Sequence, residues 1–207
     1  MMQMKKVKNG LRLGIDIDGT ITDPTTFIPY LNRAFRKRLT FDQVTEYDLA
    51  QVYGIDKEIM DRWFNNNVAT IYANSPLLPE AYRRLKEWEP YHQLIFISAR
   101  DQNHAPLTKR WLQQHQIPYD DLECIGSHNK IEAAKAHQVD IFFEDKYDNA
   151  VNLAEALDIP VFLFDTPYNQ GPLPQQVQRV SSWHDVQLPL IYNPILQNQP
   201  KLKGHSM

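Results

Sequence analysis

The chain has 207 residues, 43% of them apolar and 23% charged, with a formal net charge of −3. That length supports one good core, or one core with a sizeable insertion. The charge balance gives no polybasic footprint for a nucleic-acid polymer or an anionic membrane. No window approaches eighteen consecutive apolar residues, so no membrane-spanning helix is expected. The basic start "MMQMKKVKNG" is followed by no apolar signal core, and the single cysteine, Cys124, allows no internal disulfide. Both fit a cytoplasmic protein.

The first apolar run, "LRLGIDI" (11–17), carries Asp16 at its end, with Asp18 and Gly19 directly after it. Two ionised carboxylates this close repel each other, so the pair needs a cation or a shared proton. From Pro24 to Leu78 no buried strand is legible. Instead "TFIPYLNRAFRKRL", "FDQVTEYDLAQVYG" and "DKEIMDRWFNNNVATIYA" follow as helix-like, aromatic-rich pieces. A structureless loop of that length is implausible in a compact domain, so a small helical insertion is expected. Most of its aromatics should form its own core, leaving the rest to face a ligand.

Strand-like runs then alternate with amphipathic helices. "QLIFIS" (93–98) ends in Ser98, with Arg100 just beyond. "LECIG" (122–126) holds Cys124, which reads as a buried, inert thiol. "VDIFFE" (139–144) leads into Asp145, and "PVFLF" (160–164) is the last clear run. Between them lie "PEAYRRLKEWEP", "HAPLTKRWLQQHQ", "KIEAAKAHQ" (opened by Lys130) and "YDNAVNLAEALD", each with apolar residues at three- and four-residue spacing. "DTPYNQGPLPQQ" reads as loop. "RVSSWHDVQLPL" can add an edge strand and a short helix, and residues 194–207 read as a loose tail.

Near-continuous apolar strands between amphipathic helices predict an α/β fold, a doubly wound parallel sheet covered on both faces. In such a sheet the strand C-termini share one edge and ligands bind in the crevice there. Asp16, Asp18, Ser98, Lys130, Glu144 and Asp145 should therefore converge. Carboxylates from two strand ends suit Mg²⁺. A lysine, a hydroxyl and backbone N–H groups suit an anion, and the combination suggests a phosphoryl group. A free carboxylate as nucleophile and a second as acid/base can form an aspartyl-phosphate and hydrolyse it.

"DIDGT", followed in order by a strand ending in Ser98, by Lys130, and by a strand ending in Glu144 and Asp145, resembles the four motifs of the haloacid dehalogenase-like phosphatases across residues 11–165. The resemblance implies a Rossmann-like core (residues 1–23 and 79–193) and a helical cap of the first type (residues 24–78). It makes Asp16 the nucleophile and a magnesium ligand. Asp18 becomes the acid/base, with its backbone carbonyl on the metal. Ser98 and Lys130 hold phosphoryl oxygens, and Asp145 completes the Mg²⁺ shell. "GIDIDGTITDPTTFIPYLN", "FISAR", "FFEDKYDNA" and "LFDTPYN" further resemble the nucleotidase branch similar to the cytosolic type C 5′(3′)-deoxyribonucleotidases. That implies a 5′-nucleotidase acting on nucleoside monophosphates. Where many relatives carry a second Asp four residues after the metal-binding one, this chain has Asn149 beside Asp148. Either residue is a candidate to hold a metal-bound water.

Other readings remain open from the sequence. The substrate can be another small phosphate ester such as a sugar phosphate, or the chemistry a phosphomutase's. The alternative of another class is a non-catalytic phospho-signalling or binding module. The receiver type fails because its lysine follows, and does not precede, the acidic strand end; a degenerate phosphate binder should have lost a motif residue, yet all are present. Ser98 can be a helix N-cap and Lys130 a solvated side chain. Glu144 is expected either to bind metal through water or to orient Lys130. Arg100 stays outside the expected site, no histidine pair suggests zinc, and His128 is not expected to be catalytic. Whether the chain forms a homodimer is left open.

Overall fold

The computed structural model describes Lys8 and residues 10–188, so the expected tail at 194–207 lies outside the described residues. Six parallel strands form one sheet: β1 (Arg12–Ile15), β2 (Gln93–Ser98), β3 (Asp121–Cys124), β4 (Ile141–Glu144), β5 (Val161–Phe164) and β6 (Val177–Val180), in the order β3-β2-β1-β4-β5-β6. The chain leaves β1 toward β2 and β3, then returns to place β4 on β1's other side. β1 is thus the switch point, and Ile15 lies opposite both Phe96 of β2 and Phe143 of β4.

The strands read as continuous apolar runs because both faces are covered. On one face Leu13, Ile15, Phe96, Phe143 and Phe162 pack with helices α4 (Pro79–Trp88) and α5 (Ala105–Gln114). On the other, Ile95, Ile97, Phe142, Val161 and Leu163 pack with α6 (Ile131–Ala136) and α7 (Tyr147–Leu157). The period-two alternation is that of a strand. Gly14 fits this pattern for a steric reason: a Cβ there would stand 2.5 Å from the Phe142 ring, so the glycine lets that ring cross β1.

Helices α1 (Ile28–Phe35), α2 (Leu49–Tyr53) and α3 (Lys57–Ala73) occupy the segment between β1 and α4 and share a small apolar cluster of Leu31, Ala50, Tyr53 and Met60. Asp48 and Asp56 cap α2 and α3 by accepting from backbone N–H groups of the first turn, and Gly54 ends α2 in the left-handed region. An antiparallel bridge between Thr22 and Leu77 ties the two ends of the segment together.

Two local expectations change. The strand expected at 122–126 is Asp121–Cys124. The edge strand forms as β6, but residues 181–185 are bends and turns, not a helix. Trp183 is drawn fully into the core there, stacks on Phe143 with ring centroids 5.2 Å apart, and donates to the Thr20 carbonyl at 2.9 Å. Cys124 is buried and unpaired, and burial raises its thiol pKa, in keeping with an inert side chain.

Candidate active site

The parallel register determines which groups meet. Asp16 follows β1 and donates its backbone N–H to Phe143 of β4 at 3.0 Å, which brings it beside Glu144 and Asp145. Lys130, at the start of α6, is 2% exposed and reaches both sides of this gap. Its Nζ donates to Asp16 Oδ1 at 2.5 Å and to Glu144 Oε1 at 2.7 Å. It is no solvated surface lysine.

Glu144 is fully committed. Oε1 also accepts from the Asn149 side chain at 2.7 Å, while Oε2 accepts from the backbone of Asp145 and Lys146 at 2.8 and 2.9 Å. Its contact with Lys130 matches one of its two expected roles, and its place beside Asp16 and Asp145 leaves the other open. The same contact draws Asn149 inward, whereas Asp148 is exposed and lines no part of the cavity. Asp145 is buried, and its Oδ2 accepts from the Tyr168 hydroxyl at 2.6 Å. Gly19, at φ +77°, keeps the "DGT" turn clear of that carboxylate, since a Cβ there would lie 2.3 Å from Asp145 Oδ2.

Asp18 is held by a residue that sequence reading had left aside. Arg100 is 2% exposed and grips it in a fork, Nε to Oδ2 at 2.8 Å and Nη2 to Oδ1 at 2.7 Å. The face of the guanidinium lies 3.9 Å from the centre of the Tyr72 ring on α3. Ser98, at the end of β2, is buried and its Oγ accepts the Arg100 backbone N–H at 3.2 Å. Ala99 and Arg100, not Ser98, line the cavity. The structure thus groups Asp16, Asp18, Lys130 and Asp145 around one cavity and leaves Ser98 just behind its wall.

Four carboxylates (Asp16, Asp18, Glu144 and Asp145) face two paired cations (Lys130 and Arg100), so with all four ionised the innermost site would carry excess negative charge. Burial pushes Asp16 up to about 7 against the pull of Lys130, with Glu144 and Asp18 adding to the rise. Burial, reinforced by Glu144 and Asp16, likewise raises Asp145 well above the usual carboxylate range. Burial alone would lower Lys130, but Asp16 and Glu144 outweigh it and keep the ammonium charged. Carboxylate oxygens of Asp16, Glu144 and Asp145 all lie within 4.8 Å of one another. Asp16 Oδ2 and Asp145 Oδ1 accept no hydrogen bond among the described residues. Two unshared carboxylate oxygens on buried residues, open to the cavity, fit a hard divalent cation.

The cavity, about 450 Å³, lies between the sheet edge and the helical segment, whose Phe27, Val44, Tyr47, Met60, Phe64 and Tyr72 form its far wall. His128 also lines it, edge-on to Tyr47 at 5.5 Å, and burial lowers its pKa. Among the described residues no helix is long and apolar enough to cross a membrane.

Comparison with known proteins agrees with this architecture. A family model described as "5′ nucleotidase, deoxy (Pyrimidine), cytosolic type C protein" matches residues 9–194. A "putative nucleotidase" of Halalkalibacterium halodurans is 46% identical over 177 residues, spanning 86% of this chain and 91% of that protein. A "nucleotidase" of Clostridium acetobutylicum is 31% identical over 176 residues, spanning 85% and 91%. The fold is shared with a haloacid dehalogenase-like hydrolase of Streptococcus pneumoniae, with a TM-score of 0.57 at 14% identity over 77% of this chain and 87% of that one. With a family match spanning nearly all of the described residues, the chain belongs to the cytosolic type C 5′-nucleotidase, deoxy (pyrimidine) family.

Proposed function

We propose that the chain is a Mg²⁺-dependent phosphomonoesterase that hydrolyses nucleoside monophosphates through an aspartyl-phosphate on Asp16. One observation carries the reading: a buried carboxylate at the sheet's switch point, with a charged lysine on one oxygen, opens into a cavity large enough for a small ligand. One carboxylate oxygen of Asp16 attacks phosphorus, the other being left to Lys130 and the metal, and the ester P–O bond breaks. Lys130 stays charged and has a third N–H beyond those given to Asp16 and Glu144, which is available to a phosphoryl oxygen. Ser98 lies behind the cavity wall in this structure, so its place in the anion cradle requires the Ala99–Arg100 backbone to move aside. Asp18 delivers a proton to the leaving oxygen, then takes one from the water that hydrolyses the phospho-enzyme, releasing phosphate. Both of its oxygens are held by Arg100 in this structure, so this step requires the fork to open.

The side chains of Asp16 and Asp145 and the backbone carbonyl of Asp18 would hold Mg²⁺. When bound, the ion neutralises the crowded carboxylates and the charge that develops on the phosphoryl group. Residues 24–78 act as the cap, and their aromatic wall meets the organic part of the substrate. The nucleotide assignment is supported by the family and by the nucleotidase relatives.

The test is phosphate release from 5′- and 3′-(deoxy)nucleoside monophosphates, sugar phosphates and p-nitrophenyl phosphate, each with Mg²⁺ and with EDTA. Metal-dependent release concentrated on nucleotides is expected. Preference for a sugar phosphate would move the substrate class, and no release from any ester would sink the mechanism.

A further inference from the structure

Asp145 is positioned by the loop after β5, whose "TPYN" residues carry no role assigned from the sequence. The segment after β5 is fixed by Asn169, which is fully buried. Its amide donates to the backbone carbonyls of Phe164 at 2.6 Å and of Asp145 at 2.7 Å. Its Oδ1 accepts from the Thr166 backbone at 3.2 Å and from Arg179 Nη1. The loop is therefore clamped to the ends of β4 and β5 together, and this delivers the Tyr168 hydroxyl to Asp145 Oδ2 at 2.6 Å. Burial and the Asp145 carboxylate push Tyr168 well above its ordinary value, so the hydroxyl remains a donor.

The result is directional. Asp145 Oδ2 lies in a slot between the Tyr168 hydroxyl and the backbone of Gly19, where a side chain would collide with it. Its rotamer is thereby set and Oδ1 is left for the cavity. The other end of Tyr168 touches the helical segment: its ring meets Phe41 edge-on at 6.2 Å and Tyr47 at 5.8 Å. One side chain thus joins residues 41–47 to a carboxylate proposed as a metal ligand. Partners that orient a ligating group commonly tune metal affinity.

We propose that Tyr168 is a positioning residue that presets Asp145 for a divalent cation, and that its ring contacts make cation affinity depend on the cap. This rests on the metal-dependent reading above. The experiment is Mg²⁺ titration by calorimetry on the full chain, in parallel for wild type, Tyr168→Phe and Phe41→Ala, with metal-free thermal unfolding of each. Tyr168→Phe is expected to weaken Mg²⁺ about tenfold. The metal-free variant should stay folded at the titration temperature, losing only the stability of one hydrogen bond. Phe41→Ala should give a smaller loss of affinity in the same direction. Unchanged Mg²⁺ affinity in Tyr168→Phe, or a loss explained by the metal-free variant being unfolded at the titration temperature, would overturn the positioning role. Unchanged affinity in Phe41→Ala alone would overturn the link to the cap and leave the Asp145 role standing. Tyr168-dependent Mg²⁺ binding in a chain that cleaves no phosphate ester would retire the phosphatase reading and keep this one. A wild type that binds no Mg²⁺ would end both.

Discussion

The two walls of the cavity are built by different physics. On the sheet side nearly every polar group is assigned: Lys130 bridges Asp16 and Glu144, Glu144 takes four donors, Arg100 grips Asp18 and Tyr168 holds Asp145. On the helical side the wall is mostly rings and aliphatic groups, and its contacts with the sheet side are largely ring contacts. Tyr72 lies on Arg100, Tyr47 meets His128 and Tyr168, and the Lys146 ammonium stands 4.4 Å from the centre of the Tyr47 ring. Hydrogen bonds are directional and fail over fractions of an ångström, whereas ring contacts tolerate sliding. The sheet edge is thus suited to fixing a reaction geometry and the helical wall to sorting and admitting substrates.

Substitutions on the two walls should therefore differ in kind. The largest effect is expected at the sheet edge. Asp16→Asn keeps the shape and removes the proposed nucleophile, and turnover measured by phosphate release should fall at least about 10⁴-fold with the circular dichroism spectrum unchanged. Near-normal turnover would refute the aspartyl-phosphate route. Next comes Lys130→Ala, which strands Asp16 and Glu144 without their counter-ion in a buried site. It should cost about 3–5 kcal/mol of stability in denaturant unfolding. A loss no larger than that of a surface lysine would show that solvent or a cation already compensates the pair.

The helical wall should respond differently. Phe64→Ala, at a half-buried ring that lines the cavity, is expected to raise KM for nucleotides about tenfold with kcat little changed, the sign of lost uniform binding. Hydrolysis of p-nitrophenyl phosphate should move less, because its small aryl group reaches less of that wall. A fall in kcat equal to the fall in kcat/KM would show that the wall helps set the reaction geometry and would break the comparison.

What could be read from the chain follows the same division. The sheet was legible because strands buried on both faces leave long apolar runs, and the motif carboxylates stand at their ends. Lys130 and Asp145 could be placed by strand order alone. Arg100 was visible beside Ser98, but the sequence cannot tell a solvated arginine from one whose counter-ion lies 82 positions away. Tyr168 lies in a Pro- and Gln-rich loop whose path depends on Asn169 reaching the ends of two strands, a tertiary event without periodicity. The aromatics of residues 24–78 were recognisable as a group. Which of them pack with one another and which line the cavity is decided by helix packing.

The smallest expected effect tests the electrostatics of the sheet edge directly. Asp16 has an ordinary value of 3.8 and is pushed up to about 7 in the fold, so between those values the folded protein holds a proton that the unfolded chain has released. Its contribution to metal-free stability is therefore fully present below about pH 4 and is lost as pH rises through 7. His92 and His128, lowered by burial, act in the opposite sense near their ordinary value of 6.5, so the raw melting curve mixes the two. Comparing wild type with Asp16→Asn in EDTA removes the histidine overlap and leaves the interacting pair of Asp16 and Asp145, both raised by burial and acting in the same sense. The melting temperature of Asp16→Asn relative to wild type should climb between pH 5 and pH 8, by a few degrees for each 1 kcal/mol of difference. Mg²⁺ should reverse the trend, stabilising wild type more at the upper end, where its carboxylate is free of the proton, and stabilising the variant less. A difference that stays flat with pH would mean Asp16 is already ionised beside Lys130, and that the lysine suffices to balance it without a cation.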